Sequence, residues 1–220
     1  MYVNEDKILV ENVEVAGIET AIRGLRNPMD SWDKSDSYYE PYLDEFFIGK
    51  DDRALAQRLI MAGSEHCKFL RQIYVGFDIV LPRYVWSEFD TYHFNTKNSC
   101  STMHKLFRKD KPITTDLFVY NEGEGHVIQA VVYELNLLRE GYYLSEDNEI
   151  RNDLLRRAKQ LLPEGFLQRR TVTTTYAELR NIYYQRCYHK HRLPEWQVIG
   201  KAIESLPYAK ELILCGFDKK

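Results

Sequence analysis

The sequence predicts an α+β domain, and three observations predict it. Stretches with helical spacing of apolar residues are interspersed with short β-branched and aromatic runs. Pro and Gly punctuate the ends of both. A chain of 220 residues is also long enough to bury a substantial core without disulfides.

The elements follow in order. Lys7 to Val15 alternates apolar and polar residues as a strand does, and Ile18 to Leu25 has helical spacing that stops at Asn27-Pro28. Ser31 to Tyr42 is rich in Ser, Asp, Tyr and Pro and has no period. It reads as a loop that either covers a site or sits disordered. Asp51 to Met61 places Leu55, Leu59 and Ile60 on one face after an acidic start, which makes an amphipathic helix ending at Gly63. Within Phe69 to Leu81, the run Ile73, Tyr74, Val75, Phe77, Ile79, Val80 is a mostly buried strand closed by Pro82.

Arg83 to Tyr92 follows as a helix. Asn95 to Thr102 is too rich in Asn, Ser and Thr for one and reads as a loop between structured elements, a place where function often sits. Residues 127–138 and 150–162 are helical, Leu167 to Tyr176 is a strand around Thr171 to Thr175, and 178–189 and 195–206 are helices, the last with Pro194 at its first turn. With no internal repeat, linker or low-complexity tract, residues 1–220 read as one domain.

Composition narrows the function. Cys67, Cys100, Cys187 and Cys215 form no C-x-x-C pair and fit reduced thiols better than bridges or a zinc site. Met1 to Val10 is neither a signal peptide nor a membrane span, so the expected compartment is the cytoplasm and no membrane partner is expected. A net charge of −3 makes no case for duplex nucleic acid, although Arg151 to Lys159, Arg169-Arg170 and Arg186 to Arg192 are local basic clusters. Each is a solvated helix face or a phosphate site. The 16 tyrosines fit a ligand cavity or an oligomer interface as well as a core.

A family resemblance enters at Thr91 to Met103. The stretch Thr91-Tyr92-His93-Phe94-Asn95-Thr96-Lys97-Asn98-Ser99-Cys100-Ser101-Thr102-Met103 resembles, in register, the R-H-R-x-x-S-x-N-E-x-S-x-R signature of the flavin-dependent thymidylate synthases (ThyX). Asn98 and Ser101 are identical to the pattern and Thr96 keeps a hydroxyl. Thr91, Tyr92 and His93 stand for R-H-R, Ser99 for the Glu and Met103 for the last Arg. Five other segments agree in order: Val13-Glu14-Val15-x-Gly17 leading to Ala21-x-Arg23, Leu59-Ile60-x-x-Gly63, Ala158-Lys159-x-x-Leu162-Pro163, Thr173 to Arg180, and Glu195-Trp196-Gln197-Val198.

The resemblance implies a ThyX-like fold, a central mixed or antiparallel sheet flanked by helices, assembled as a homotetramer with sites shared between subunits. It implies FAD as cofactor, a pyrimidine nucleotide as partner (dUMP methylated to dTMP), and methylenetetrahydrofolate and NADPH as co-substrates. Carried over residue by residue, it places Ser101 in the catalytic role. Tyr92, His93, Thr96, Asn98 and Glu178 fall at cofactor-binding positions. Glu88, Ser99, Ser101, Met103, Lys159 and His189 fall at substrate-binding positions.

Phosphates are gripped best by Arg, whose planar fork pairs with two oxygens. Several of these positions have lost it: Thr91 and Tyr92 carry no charge, Met103 and His189 replace Arg, Lys159 keeps the charge but not the fork, and Glu178 puts an anion where the family has an amide. Losing two or three charged hydrogen bonds, each worth roughly 1.5–3 kcal/mol, puts the ordinary reaction in doubt. A diverged enzyme and a non-catalytic nucleotide-binding or regulatory oligomer both stay open, with a nucleic-acid-binding module the poorest fit.

Several side chains keep a bland alternative. Thr96, Asn98 and Ser101 are ligands or loop caps, Arg180 is a functional cation or a helix-surface residue, and Trp196 is a stacking platform or core. His189 and His191, two apart, do not share a helix face and make a poor metal pair.

Overall fold

The computed structural model describes residues 1–188 and 193–217. The strands are β1 (Tyr2–Val3), β2 (Leu9–Ala16), β3 (Tyr38–Glu40), β4 (Glu45–Phe47), β5 (Tyr74–Pro82), β6 (Thr96–Ser99), β7 (Tyr120–Asn121) and β8 (Leu167–Thr175). The helices are α1 (Ile18–Leu25), α2 (Lys50–Ala62), α3 (Arg83–Phe89), α4 (Thr102–Lys105), α5 (Gly125–Leu144), α6 (Asn148–Leu161), α7 (Tyr176–Ile182), α8 (Glu195–Glu204) and α9 (Ala209–Leu212). A four-stranded sheet has the order β2-β5-β8-β6, and two small antiparallel pairs, β1-β7 and β3-β4, stand apart from it. The expected α+β class is what the chain adopts. No described helix is long and apolar enough to cross a membrane.

Two expected loops are structured. Residues 31–42 form a 3-10 turn, Trp32–Lys34, and then β3, which pairs with β4 in the register Tyr38↔Phe47 and Glu40↔Glu45. The Tyr38 and Phe47 rings stack across that pair, a cross-strand contact that composition does not reveal. Residues 96–99, read as a loop for their polarity, form the edge strand β6. The partner supplies what the side chains lack, since the chain just beyond it is bonded by Cys100 N–H to the Arg169 carbonyl at 3.0 Å. The expected helix over 178–189 begins earlier, at Tyr176, and passes into a π-helix at Tyr183–Tyr188. Residue 189 lies outside the described residues.

The chain packs as two units interleaved in sequence, one of Met1–Leu9, Ile79–Thr91 and Asn98–Arg170, the other of Val10–Asp78, Tyr92–Lys97 and the chain from Thr171 on. In the first, α5 and α6 pack on one another around Ile128, Leu135, Leu138, Leu155 and Ala158, and Phe107, Ile113 and Phe118 complete the core. Gly141 lets α6 approach, because a Cβ there would meet Leu154 Cδ1 at 3.3 Å.

In the second unit, Ile22 and Leu25 of α1, Leu55 and Ile60 of α2 and Ile199 and Ile203 of α8 are buried, as their helical spacing requires. Trp196 is core, with no exposed surface. Asp52, at the start of α2, is also fully buried and is held by Arg26, Ser35 and Ser37.

Candidate functional site

Each unit carries a large cleft, and the second has another of about 510 Å³ lined by Leu25, Met29, His66 and Phe69. The first unit's, about 720 Å³, is cut between the 100–117 segment, the N-terminal residues and the start of β8. Its position follows from α5. Asn136 exchanges two hydrogen bonds with the Ile113 backbone (2.8 and 3.0 Å), Arg139 donates to the carbonyls of Arg108 and Lys109, and the Tyr143 hydroxyl donates to the Phe107 carbonyl at 2.7 Å. A segment poor in secondary structure is thereby fixed to a rigid helix. At its other end, Gln168 donates to the Cys100 carbonyl at 2.9 Å and the Trp86 indole to the Gln168 carbonyl at 2.8 Å. Arg170 lies over the Trp86 ring at 4.3 Å and pairs with Asp90 at 2.9 Å.

The cleft has an apolar floor that includes Val80, Leu106 and Phe166, and a cationic rim of Lys7, Lys105, Arg108, Lys111 and Arg169 against only Asp6 and Asp116. Lys7 is committed to Asp116 at 3.1 Å and Arg108 to Asp110 at 3.0 Å. The Thr114 hydroxyl and Lys7 hold the Asp116 carboxyl below the ordinary carboxylate range, against the opposing effect of partial burial. Lys105 and Lys111 are exposed, and their ammonium groups make no hydrogen bond or ion pair among the described residues. Ser101, half-buried, and Cys100, exposed, line the same cleft. Two available cations beside a hydroxyl, over an apolar floor, can hold an anion that carries a flat hydrophobic ring.

The second unit's cleft, about 560 Å³, is built at the α2–Gly63 turn and the start of α7. Thr175 caps α7, its hydroxyl accepting from the Glu178 N–H at 3.5 Å. Glu178, Arg180, Arg71, Phe94, Tyr184 and Phe217 all line it. The Arg180 guanidinium donates to the Ile213 carbonyl and lies 4.3 Å over the Phe217 ring; burial lowers its pKa, and Cys215 and Cys67 oppose the shift.

The residues singled out in the sequence are scattered. Ser101 lies in the first unit's cleft and Glu178 in the second's. Tyr92 is a buried member of the second unit's core: its hydroxyl donates to Gln185 at 3.1 Å, accepts from Arg186 at 3.0 Å, and its ring meets Trp196 edge-on. Burial raises its pKa, Arg186 opposes this, and Glu178 adds to the rise. His93 is exposed, as are Thr96, Asn98 and Ser99 on β6 and Lys159 on α6; Glu88 is half-buried on α3. These seven line neither cleft. Met103 falls in α4, and His189 and His191 lie outside the described residues. Among the described residues no cluster of three His, Cys, Asp or Glu could hold a metal.

Sequence reasoning missed Lys105, Arg108 and Lys111, none of which lies in the resembling motif. The one available signal was a run of four cations within residues 105–111 directly after the motif.

No protein-family model matches the sequence, and no curated protein matches it. Solved structures do. Two structures of the flavin-dependent thymidylate synthase ThyX from Helicobacter pylori with FAD and dUMP superpose at TM-scores of 0.66 and 0.68, each 23% identical. They cover 94% and 97% of this chain and 98% and 100% of theirs. The UMP/dUMP methylase PolB from Streptomyces cacaoi, bound with 5-Br dUMP, superposes at 0.59 and 16% identity, over 96% of this chain and 93% of its own. The chain therefore has the ThyX-like fold that the six resembling segments implied.

Proposed function

We propose that the protein binds a pyrimidine nucleotide in the first unit's cleft, its phosphate on Lys105 and Lys111, its base over the apolar floor, and Ser101 directed at it in the role that the resemblance gives that serine. The observation that carries this reading is the pair of available ammonium groups beside Ser101. They place charge two and eight residues beyond Met103, where the family's Arg is missing. The dUMP and 5-Br dUMP in the neighbours' crystals support a pyrimidine. Assembly as a cytoplasmic homotetramer belongs to the same proposal. In its support, α5 and α6 leave Tyr133, Leu137, Ile150 and Leu161 between 43% and 64% exposed, a surface that a second copy could cover.

A flavin-dependent methylation of dUMP, with methylenetetrahydrofolate and NADPH, is the second reading. It is favoured by the FAD in two of those crystals. Two of the residues at the flavin-contacting positions, Tyr92 and Glu178, do not fit it. Tyr92 is packed in the core with its hydroxyl already bonded. Glu178 sets a carboxylate where the family has an amide, and an ionised carboxylate accepts hydrogen bonds but cannot donate one.

Calorimetric titration of the full-length protein with dUMP, followed by its visible spectrum with FAD and then dUMP, tests both readings. Under the first, dUMP binds in a salt-sensitive manner without any flavin spectrum. A bound-flavin spectrum perturbed by dUMP would establish the second. Absence of dUMP binding at low salt would remove both.

A further inference from the structure

The second unit's cleft holds a carboxylate with nothing to do. Glu178 is only 6% exposed and lines the cleft, yet its carboxylate makes no hydrogen bond or ion pair among the described residues. The arrangement Thr175-x-x-Glu178 is that of a capping box, in which the Glu would turn back to the N-cap N–H. Here only the Thr175 half is made, so the usual structural use of that side chain goes unexercised. Its oxygens are not among the sealed, unpaired atoms of the described residues, so they open on the cleft, where a ligand that displaces water must supply donors in its place.

The surroundings restrict that ligand. Arg71, exposed at the rim with no partner among the described residues, and Arg180 both disfavour a cation. Phe94, 78% exposed, offers a face to a flat ring, and the Tyr184 ring, packed on Tyr188 and Phe217, adds an aromatic wall. A volume of about 560 Å³ accommodates a mononucleotide. Ring edges then decide. Uracil and flavin present a single N–H flanked by carbonyl oxygens, and adenine presents its amino group beside ring-nitrogen acceptors; each sets a lone pair against the carboxylate. A 2-amino-4-oxo edge presents two adjacent N–H donors that match both carboxylate oxygens, a charge-assisted bidentate pair.

We propose that this cleft binds a heterocycle with a 2-amino-4-oxo edge and an anionic substituent, such as a guanine nucleotide, with the edge on Glu178 and the anion on Arg71. The proposal concerns a different cleft from the pyrimidine reading and stands or falls separately from it.

Cys67 lines this cleft and Cys100 the other, which gives a built-in footprint. The full-length protein is titrated calorimetrically with GMP, AMP, UMP and FMN, and alkylation of each thiol is followed by mass spectrometry. GMP is expected to protect Cys67 and leave Cys100 reactive, and to bind this cleft at least tenfold more tightly than AMP, UMP or FMN. Glu178→Gln should weaken GMP at least tenfold and close most of the gap to AMP. Arg71→Ala, at an exposed position, should weaken GMP but not guanosine. Pterin-6-carboxylate outbinding GMP, with the same sensitivity to Glu178→Gln, would assign the shared edge to a pterin instead. Equal protection of Cys67 by AMP or FMN, no protection by either GMP or the pterin, or GMP binding indifferent to Glu178→Gln would overturn the proposal. The footprint on the unaltered protein decides the matter even if the Glu178 variant does not fold.

Discussion

Arg26 donates its Nε–H to Asp52 Oδ1 at 2.6 Å, with Asp52 fully buried and Arg26 only 6% exposed. The other carboxylate oxygen accepts from the Ser35 and Ser37 hydroxyls, each at 2.6 Å. Both carboxylate oxygens are thus paired, the condition under which a buried ion pair is tolerated. Removing one partner strands the other. Asp52→Ala is expected to cost about 3–5 kcal/mol, read as a lower urea midpoint.

The same site sets a pH dependence. Burial by itself pushes the Asp52 carboxyl up, but the bonds from Ser35, Ser37 and Arg26 outweigh it and hold the carboxyl below its ordinary value. A carboxyl depressed in the folded state binds fewer protons there than when unfolded. Its contribution is therefore present above the unfolded pKa of about 4 and is lost as pH falls through the folded value. The urea midpoint should drop below about pH 4, and Asp52→Asn should show a shallower drop in that window. An equally steep drop in the variant would place the acid sensitivity elsewhere.

Tyr92→Phe separates a structural role from a ligand role at a motif position. The ring contact with Trp196 survives, while the bonds to Gln185 and Arg186 are lost. Because one of those bonds is charge-assisted, a loss of about 1–3 kcal/mol in stability is expected, with dUMP affinity unchanged. A variant of full stability that no longer binds dUMP would return Tyr92 to the site.

Lys105→Ala with Lys111→Ala tests the cationic rim. Both side chains are exposed and unpaired among the described residues, so stability should shift by less than about 0.5 kcal/mol. Loss of dUMP affinity should reach about 10- to 100-fold, and its salt dependence should flatten. The same titration with Lys159→Ala should show little change, since Lys159 lies outside the cleft lining.

How much of this was legible in the sequence depended on whether the signal was local. The helices α1, α2, α3, α5, α6 and α8 follow from apolar spacing, and β5 from a run whose Val75, Phe77, Ile79 and Leu81 are all buried on alternate positions. β6 was not legible: only Thr96 favours a strand, Lys97, Asn98 and Ser99 do not, and pairing beside β8 makes the four one. Likewise Ser101 could be found through a motif, whereas the lysines at 105 and 111 share a cleft only because Asn136, Arg139 and Tyr143 tie 107–113 to α5. Contacts 23 to 36 residues apart leave no periodic trace.

Gly17 offers a further test, one tied to the motif Val13-Glu14-Val15-x-Gly17. It precedes α1 at φ +89°, and a Cβ there would lie 2.3 Å from the Gln72 carbonyl oxygen, a backbone atom that cannot swing aside. Gly17→Ala therefore carries left-handed strain of about 1–2 kcal/mol and an overpacking cost of about 1–3 kcal/mol. Gly76, inside β5, is the opposite case. A Cβ there meets nothing within 4 Å and its φ lies outside the left-handed region. Gly76→Ala should stabilise by about 0.4–1 kcal/mol, because the unfolded chain loses freedom that the strand never used. Urea denaturation of the two variants should therefore move the midpoint in opposite directions. A tolerated Gly17→Ala would mean that the α1 entry and the Gln72 backbone can part without loss, contrary to the close approach seen here.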